Sequence, residues 1–182
     1  MKSSSIKIIF GGPLWLVTLA LVGSFVAFSQ MTMAQDQRDR IGIFRDWEAI
    51  VLNRSDGEII CYMISTPRDT NPKNVRRGEI YVTITHKPKM RVMNEVTIIV
   101  GYPFRAESEA VATIGNRRFS MFTEADSAWM FTSRQDQEIV QAMRDGSAMV
   151  VTGVSSRGTD TSDRYSLMGF TAANDAITNA CQ

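Results

Sequence analysis

Beyond residue 43, apolar and polar residues alternate along most of the chain, and a period of two predicts strands rather than helices. Glu79–His86 is the clearest case, with Ile80, Val82 and Ile84 on one face and Tyr81, Thr83 and Thr85 on the other. Glu95–Tyr102 repeats the pattern through Val96, Ile98 and Val100, while Glu58–Ser65 is apolar on both faces, as a strand covered on both sides would be. Further strands are predicted at Phe44–Leu52 around Trp47, Ala110–Ile114, Arg118–Thr123, Ala128–Thr132, Ala148–Val154 and Arg164–Met168. Asn53–Gly57 is rich in turn residues, and Gly115-Asn116 makes a tight hairpin between its flanking strands. Thr66–Gly78, with two prolines, predicts an exposed loop.

The period changes to that of a helix twice. Ser133 offers a cap for a segment whose Ile139, Val140 and Met143 form one stripe and which Gly146 stops. Thr171–Cys181 carries Ala173, Ala176, Ile177 and Ala180 at helical spacing, a small-residue stripe that lets a terminal helix lie close on a sheet and brings Cys181 towards Cys61. Strands that follow one another with only two short helices predict a mainly β, antiparallel sandwich rather than a parallel βαβ fold.

Residues 1–34 are of another kind. Lys2 and Lys7 precede the apolar run Ile8–Phe28, and the next charge is Asp36. A basic start, an apolar middle and small residues Thr32 and Ala34 three and one positions before Gln35 read as a secretory signal cut at Gln35. The competing reading is a retained anchor, because the 21 residues from Ile8 to Phe28 suffice to cross a bilayer as a helix. Either way the lysines favour a cytoplasmic start with the rest translocated. The organisation predicted is a signal or anchor over 1–34, a polar lead over 35–43 and one domain over 44–182. Its location is the periplasm, or the inner membrane with the domain on the periplasmic side and membrane contact through Ile8–Phe28.

Composition narrows the chemistry. From Gln35 onward there are 18 basic and 19 acidic residues, a balance that excludes an extended nucleic-acid footprint. A single histidine, His86, excludes multi-histidine metal centres, and neither a metal nor a cofactor is predicted. The two cysteines, Cys61 and Cys181, read as one disulfide in an exported chain, the alternative being two unpaired buried thiols.

Few constellations could carry a reaction. Ser155, Ser156, Arg157, Gly158 and Thr159 could form a small anion pocket, or simply a turn capped by its own hydroxyls. A small hydrolase or anion-binding enzyme would need that loop to converge with His86. Tyr102 and Phe104, in Gly101-Tyr-Pro-Phe104, offer either a partner contact surface or a turn that caps the core. Arg68, Lys73, Arg76 and Arg77 make a modest basic patch for anionic lipid, or ordinary loop charge. Glu107 and Glu109 lie two apart and do not make a catalytic pair, and Asn53-Arg-Ser55 matches a glycosylation acceptor only in a eukaryotic secreted protein. No catalytic residue is assigned.

Taken in order, Trp47, Cys61, Ile84-Thr-His86, Glu95-Val96, Gly101-Tyr-Pro-Phe104, Phe119, Phe122-Thr123, Ala128-Trp129 and Ala142-Met-Arg-Asp-Gly146 form a recurring pattern. Ser155-Ser-Arg-Gly-Thr159, Tyr165-Ser-Leu167, Gly169-Phe-Thr-Ala-Ala173 and Ala180-Cys181 continue it. The pattern resembles the invasion-associated locus B family of bacterial envelope proteins. The resemblance implies an exported protein of alphaproteobacteria with an immunoglobulin-like β-sandwich, in a family named for host-cell invasion in one pathogenic genus but also present in free-living bacteria. It implies no catalytic residues. The functional expectation is a non-enzymatic envelope protein that binds a protein partner or an envelope component, in a pathogen during invasion. If the leader is retained, it is instead an anchored accessory subunit of a membrane complex.

Overall fold

The computed structural model describes residues 35–182, and the predicted leader, with its apolar helix, lies outside them. The strands are β1 (Gln37–Phe44), β2 (Trp47–Asn53), β3 (Ile59–Ser65), β4 (Asp69–Asn71), β5 (Tyr81–Lys87) and β6 (Val92–Ile99). They continue with β7 (Glu109–Ile114), β8 (Arg117–Glu124), β9 (Ser127–Trp129), β10 (Ala148–Val154) and β11 (Asp160–Ser166). Two helices, α1 (Ser133–Asp145) and α2 (Phe170–Ala180), interrupt and end the series. The predicted mainly β, antiparallel architecture with two short helices is the observed one.

Every strand pairing is antiparallel, and the strands form one open sheet in the order β1-β2-β3-β5-β6-β9-β8-β7-β10-β11-β4. The two ends of this order are tied by the chain itself. β4 pairs with β11 at the far edge but is separated from β3 by Thr66–Arg68 alone, so the ribbon must curl back upon itself. Inward residues of both halves consequently share one core: Met63, Ile84 and Ile98 from one side, Ala112, Met149 and Tyr165 from the other. Each large aliphatic side chain so buried contributes about 1.5–3 kcal/mol.

The helices close the core. Thr132, one residue earlier than predicted, caps α1 by accepting from the Gln135 N–H at 3.3 Å, and Ile139, Val140, Ala142 and Met143 are buried beneath it. Phe170, Ala173 and Ile177 of α2 are buried as their spacing requires, and Ala176 packs against the same core. Trp47 joins the first and last parts of the domain. Its indole N–H donates to the Ser166 carbonyl at 3.1 Å, and its ring meets Phe170 edge-on at 5.0 Å. Gly169, φ 91°, begins α2 against the backbone of Phe44, where an added Cβ would fall 1.9 Å from the carbonyl oxygen.

Two segments differ from expectation. The polar lead is strand β1, paired with β2 from Gln37↔Asn53 to Phe44↔Trp47, and the predicted strand at Phe44 is divided by a turn at Arg45-Asp46. Thr66–Gly78 contains β4. Cys61 and Cys181 are joined by a disulfide with Cα atoms 6.0 Å apart, and no free cysteine accompanies them.

Candidate functional site

His86 ends the alternating face of β5 and is fully buried. Its Nδ1 accepts the Asn94 N–H at 2.9 Å, which places the ring proton on Nε2, 3.1 Å from the Thr178 hydroxyl. That hydroxyl in turn donates to the Asn174 carbonyl at 2.7 Å. Burial holds the imidazole pKa below its ordinary value, so His86 is a neutral strut between β5, the start of β6 and α2.

The Ser155–Thr159 loop lies at the other end of the same ladder. Asn94, the partner of His86, is the third residue of β6, whereas Tyr102–Phe104 follow its last residue, Ile99, and Phe104 bridges to Ser155. At about 3.3 Å per residue, Asn94 and Ile99 alone are about 17 Å apart along the strand. His86 and the serine loop therefore do not converge, and the hydrolase expectation is corrected by that separation.

The loop's own bonds also exclude an anion pocket centred on Ser155. Ser155 is buried; its hydroxyl accepts the Thr159 N–H at 3.1 Å, and its carbonyl accepts the Gly158 N–H at 2.8 Å. Ser156 donates its N–H to the Pro103 carbonyl, leaving the Ser156 and Arg157 side chains exposed and Thr159 half-buried. Phe104 is 7% exposed and packs over Gly153, and half-buried Tyr102 bonds the Thr161 hydroxyl. Gly101-Tyr-Pro-Phe104 thus caps the core. Its glycine, φ 70°, crosses Gly78 so closely that a Cβ would meet backbone at 2.7 Å.

The basic run is not one free patch: of its four residues only exposed Arg76 is without an ion-pair partner among the described residues. Arg68 pairs with Asp46, and Lys73 pairs with Asp69 at 3.2 Å. Arg77 turns inward, its side chain 6% exposed, to form a two-pronged ion pair with Asp163, itself 1% exposed. Its Nε donates to the Val100 carbonyl at 3.0 Å, and the guanidinium stands 5.0 Å from the Tyr102 ring centre. Tyr165 lies in the same cluster with its hydroxyl unpartnered, and burial raises its pKa. Sequence reading missed this group; the signal available was Asp163 sharing the inward parity of Tyr165 in β11.

The open surface lies elsewhere, where β6, β9 and the start of α1 meet. A groove of about 510 Å³ there is lined by Phe122, Trp129 and Phe131, together with Met93, Glu124 and Asp136. The Phe122 and Trp129 rings stack at 5.4 Å, and Phe131 leans on Phe122 at 5.6 Å. Phe122 is 38% and Phe131 50% exposed, and Met90 and Met93 are exposed nearby. Inside the groove one Asp136 carboxylate oxygen accepts the Val96 N–H at 2.9 Å. Burial, with the Glu95 charge adding to it against that hydrogen bond, pushes the carboxyl pKa up to about 6. Strand parity signals this surface, because Met121 and Ala128 point inward and their neighbours Phe122 and Trp129 must point out.

A family model described as invasion associated locus B (IalB) protein matches residues 47–178. The chain belongs to the invasion-associated locus B family. No curated protein and no solved structure matches it. The matched span of this family member runs from Trp47, which anchors β2, to Thr178, which holds His86 in place. It therefore includes both the His86 strut and the aromatic groove. Among the described residues no three histidine, cysteine or acidic side chains are gathered to hold a metal ion, and no helix is long and apolar enough to cross a membrane.

Proposed function

We propose that this family member is an exported, non-enzymatic envelope protein that binds a protein partner through the groove between β6, β9 and α1. The observation that carries the reading is the exposed ladder Phe122–Trp129–Phe131. Aromatic side chains and methionine are enriched in protein interfaces, and exposing them in water gains nothing for the isolated domain. The Cys61–Cys181 bond supports a location outside the reducing cytoplasm. Family membership supports an envelope role, with host-cell invasion as its setting in a pathogen.

The test places a photo-crosslinking benzoylphenylalanine at Phe131 in native cells. The expected result is a defined adduct in the envelope fraction that disappears when Phe122 is replaced by serine. An uncrosslinked chain, or an adduct indifferent to Phe122, overturns the reading. Mass spectrometry of the native chain tests its export: a first residue at Gln35 means a periplasmic protein released from its leader. An intact Ile8–Phe28 means an accessory subunit held at the inner membrane.

A further inference from the structure

We infer that the occupant of the groove is an extended, basic segment of the partner polypeptide, laid along the unpaired part of β6. The inference rests on the partner-binding reading and adds the chemistry of what is bound.

Its first support is the backbone. β9 is three residues long and pairs with β6 only at Thr97, Ile98 and Ile99. Beyond that point the groove side of β6 has no strand neighbour. Val96 satisfies its N–H with the Asp136 carboxylate, Asn94 turns its N–H to His86, and Val92, Met93 and Glu95 form the wall of the groove. An extended segment laid beside this edge would place alternate side chains in the pockets of the groove, and these, rather than main-chain pairing, would supply its affinity.

The second support is charge. Glu95, Glu124 and Asp136 line the groove against the single guanidinium of Arg91, and Glu109 lies directly across the β7–β8 ladder from Phe122. Glu95 is held by Lys87 at 2.6 Å, but among the described residues Glu124, Asp136 and Glu109 have no ion-pair partner. Carboxylates beside the faces of Phe122, Trp129 and Phe131 are a complementary setting for a lysine or arginine. The ring quadrupole and the negative charge attract the same cation, and the rings take up its apolar stem. An acidic segment would meet repulsion in the same place.

The test is fluorescence anisotropy of a fluorescein-labelled peptide alternating lysine and valine, titrated with the full chain in mild detergent, beside its glutamate–valine counterpart. The expected result is binding of the lysine peptide at least about tenfold tighter than the glutamate peptide, weakening as salt is added. Phe131→Ala and Glu124→Gln should each weaken it about fivefold. Both positions are solvent-exposed, so the variants should keep the wild-type unfolding midpoint, which is measured on the same samples.

Equal binding of the two peptides, or indifference to both substitutions, overturns the inference. So does competition by tetramethylammonium as effective as that by unlabelled lysine peptide, which would make the groove a small-cation site. Self-association abolished by Phe131→Ala would make a second copy of this chain the occupant and likewise refute it. A crosslinked envelope partner at Phe131 combined with no lysine-peptide binding sinks this inference alone. Failure of both experiments sinks the partner reading with it.

Discussion

Replacing Cys61 and Cys181 together by alanine should remove about 5 kcal/mol of stability. The bond spans 120 residues of sequence, and closing a loop of that length in the unfolded chain is what the bond does most for stability. A domain of this size is stable by only about 5–15 kcal/mol, so the variant should sit at the margin of folding. Guanidinium unfolding of the oxidised protein, the same protein after reduction, and the double variant provides the assay. With a slope of roughly 2–6 kcal/mol per molar, the midpoint should fall by about 0.8–2.5 M. The single variant Cys181→Ala should lose as much as the double, because either change breaks the same bond. The reasoning fails if reduction moves the midpoint by less than the equivalent of about 1 kcal/mol. It also fails if the two single losses add, which would mean that the sulfurs contribute by packing and not by their bond.

Asp163→Asn should cost about 3–5 kcal/mol by thermal or denaturant unfolding, since it strands the buried Arg77 guanidinium. His86, whose folded pKa is depressed, should make stability fall as pH drops through its unfolded value near 6.5. The unfolded chain takes up a proton there that the folded one resists, and His86→Gln should flatten that part of the profile. Asp136 works in the opposite direction. Its folded pKa of about 6 exceeds its unfolded value of 3.8, so its contribution improves as pH falls from about 6 to 4. Asp136→Asn should therefore raise the midpoint at pH 7.5, by about 1 kcal/mol after allowance for its solvent contact, and lose that advantage at pH 4.5. Phe131→Ala should leave the unfolding midpoint within about 0.5 kcal/mol of the wild type, as expected of a half-exposed side chain.

Strands whose two faces meet different surroundings announced themselves in the sequence. Ala148–Val154 is β10 residue for residue, and the turn at Gly115-Asn116 is the β7–β8 hairpin. β1 was illegible because it is an edge strand opening with Gln37, Arg38, Asp39 and Arg40, whose polarity is that of a loop. β4 is three residues beside prolines, and only its pairing with β11 makes it a strand. Arg77 looked like loop charge because the group that draws it inward, Asp163, lies 86 residues away. Local pattern carries no record of such a pair. The site was half legible: the bland readings of His86 and of the Ser155 turn followed from residue type, whereas the groove needed β6, β8 and β9 to be set side by side.

The hydrogen bond from Trp47 to Ser166 spans 119 residues, and α2 packs on the strands that begin the domain. No leading portion of the polypeptide can therefore finish its own interior; the closing pieces are the last to be synthesised. Under the export proposed above, a chain threaded through a narrow pore while still growing would have no completed domain to unravel, and assembly would wait for the far side.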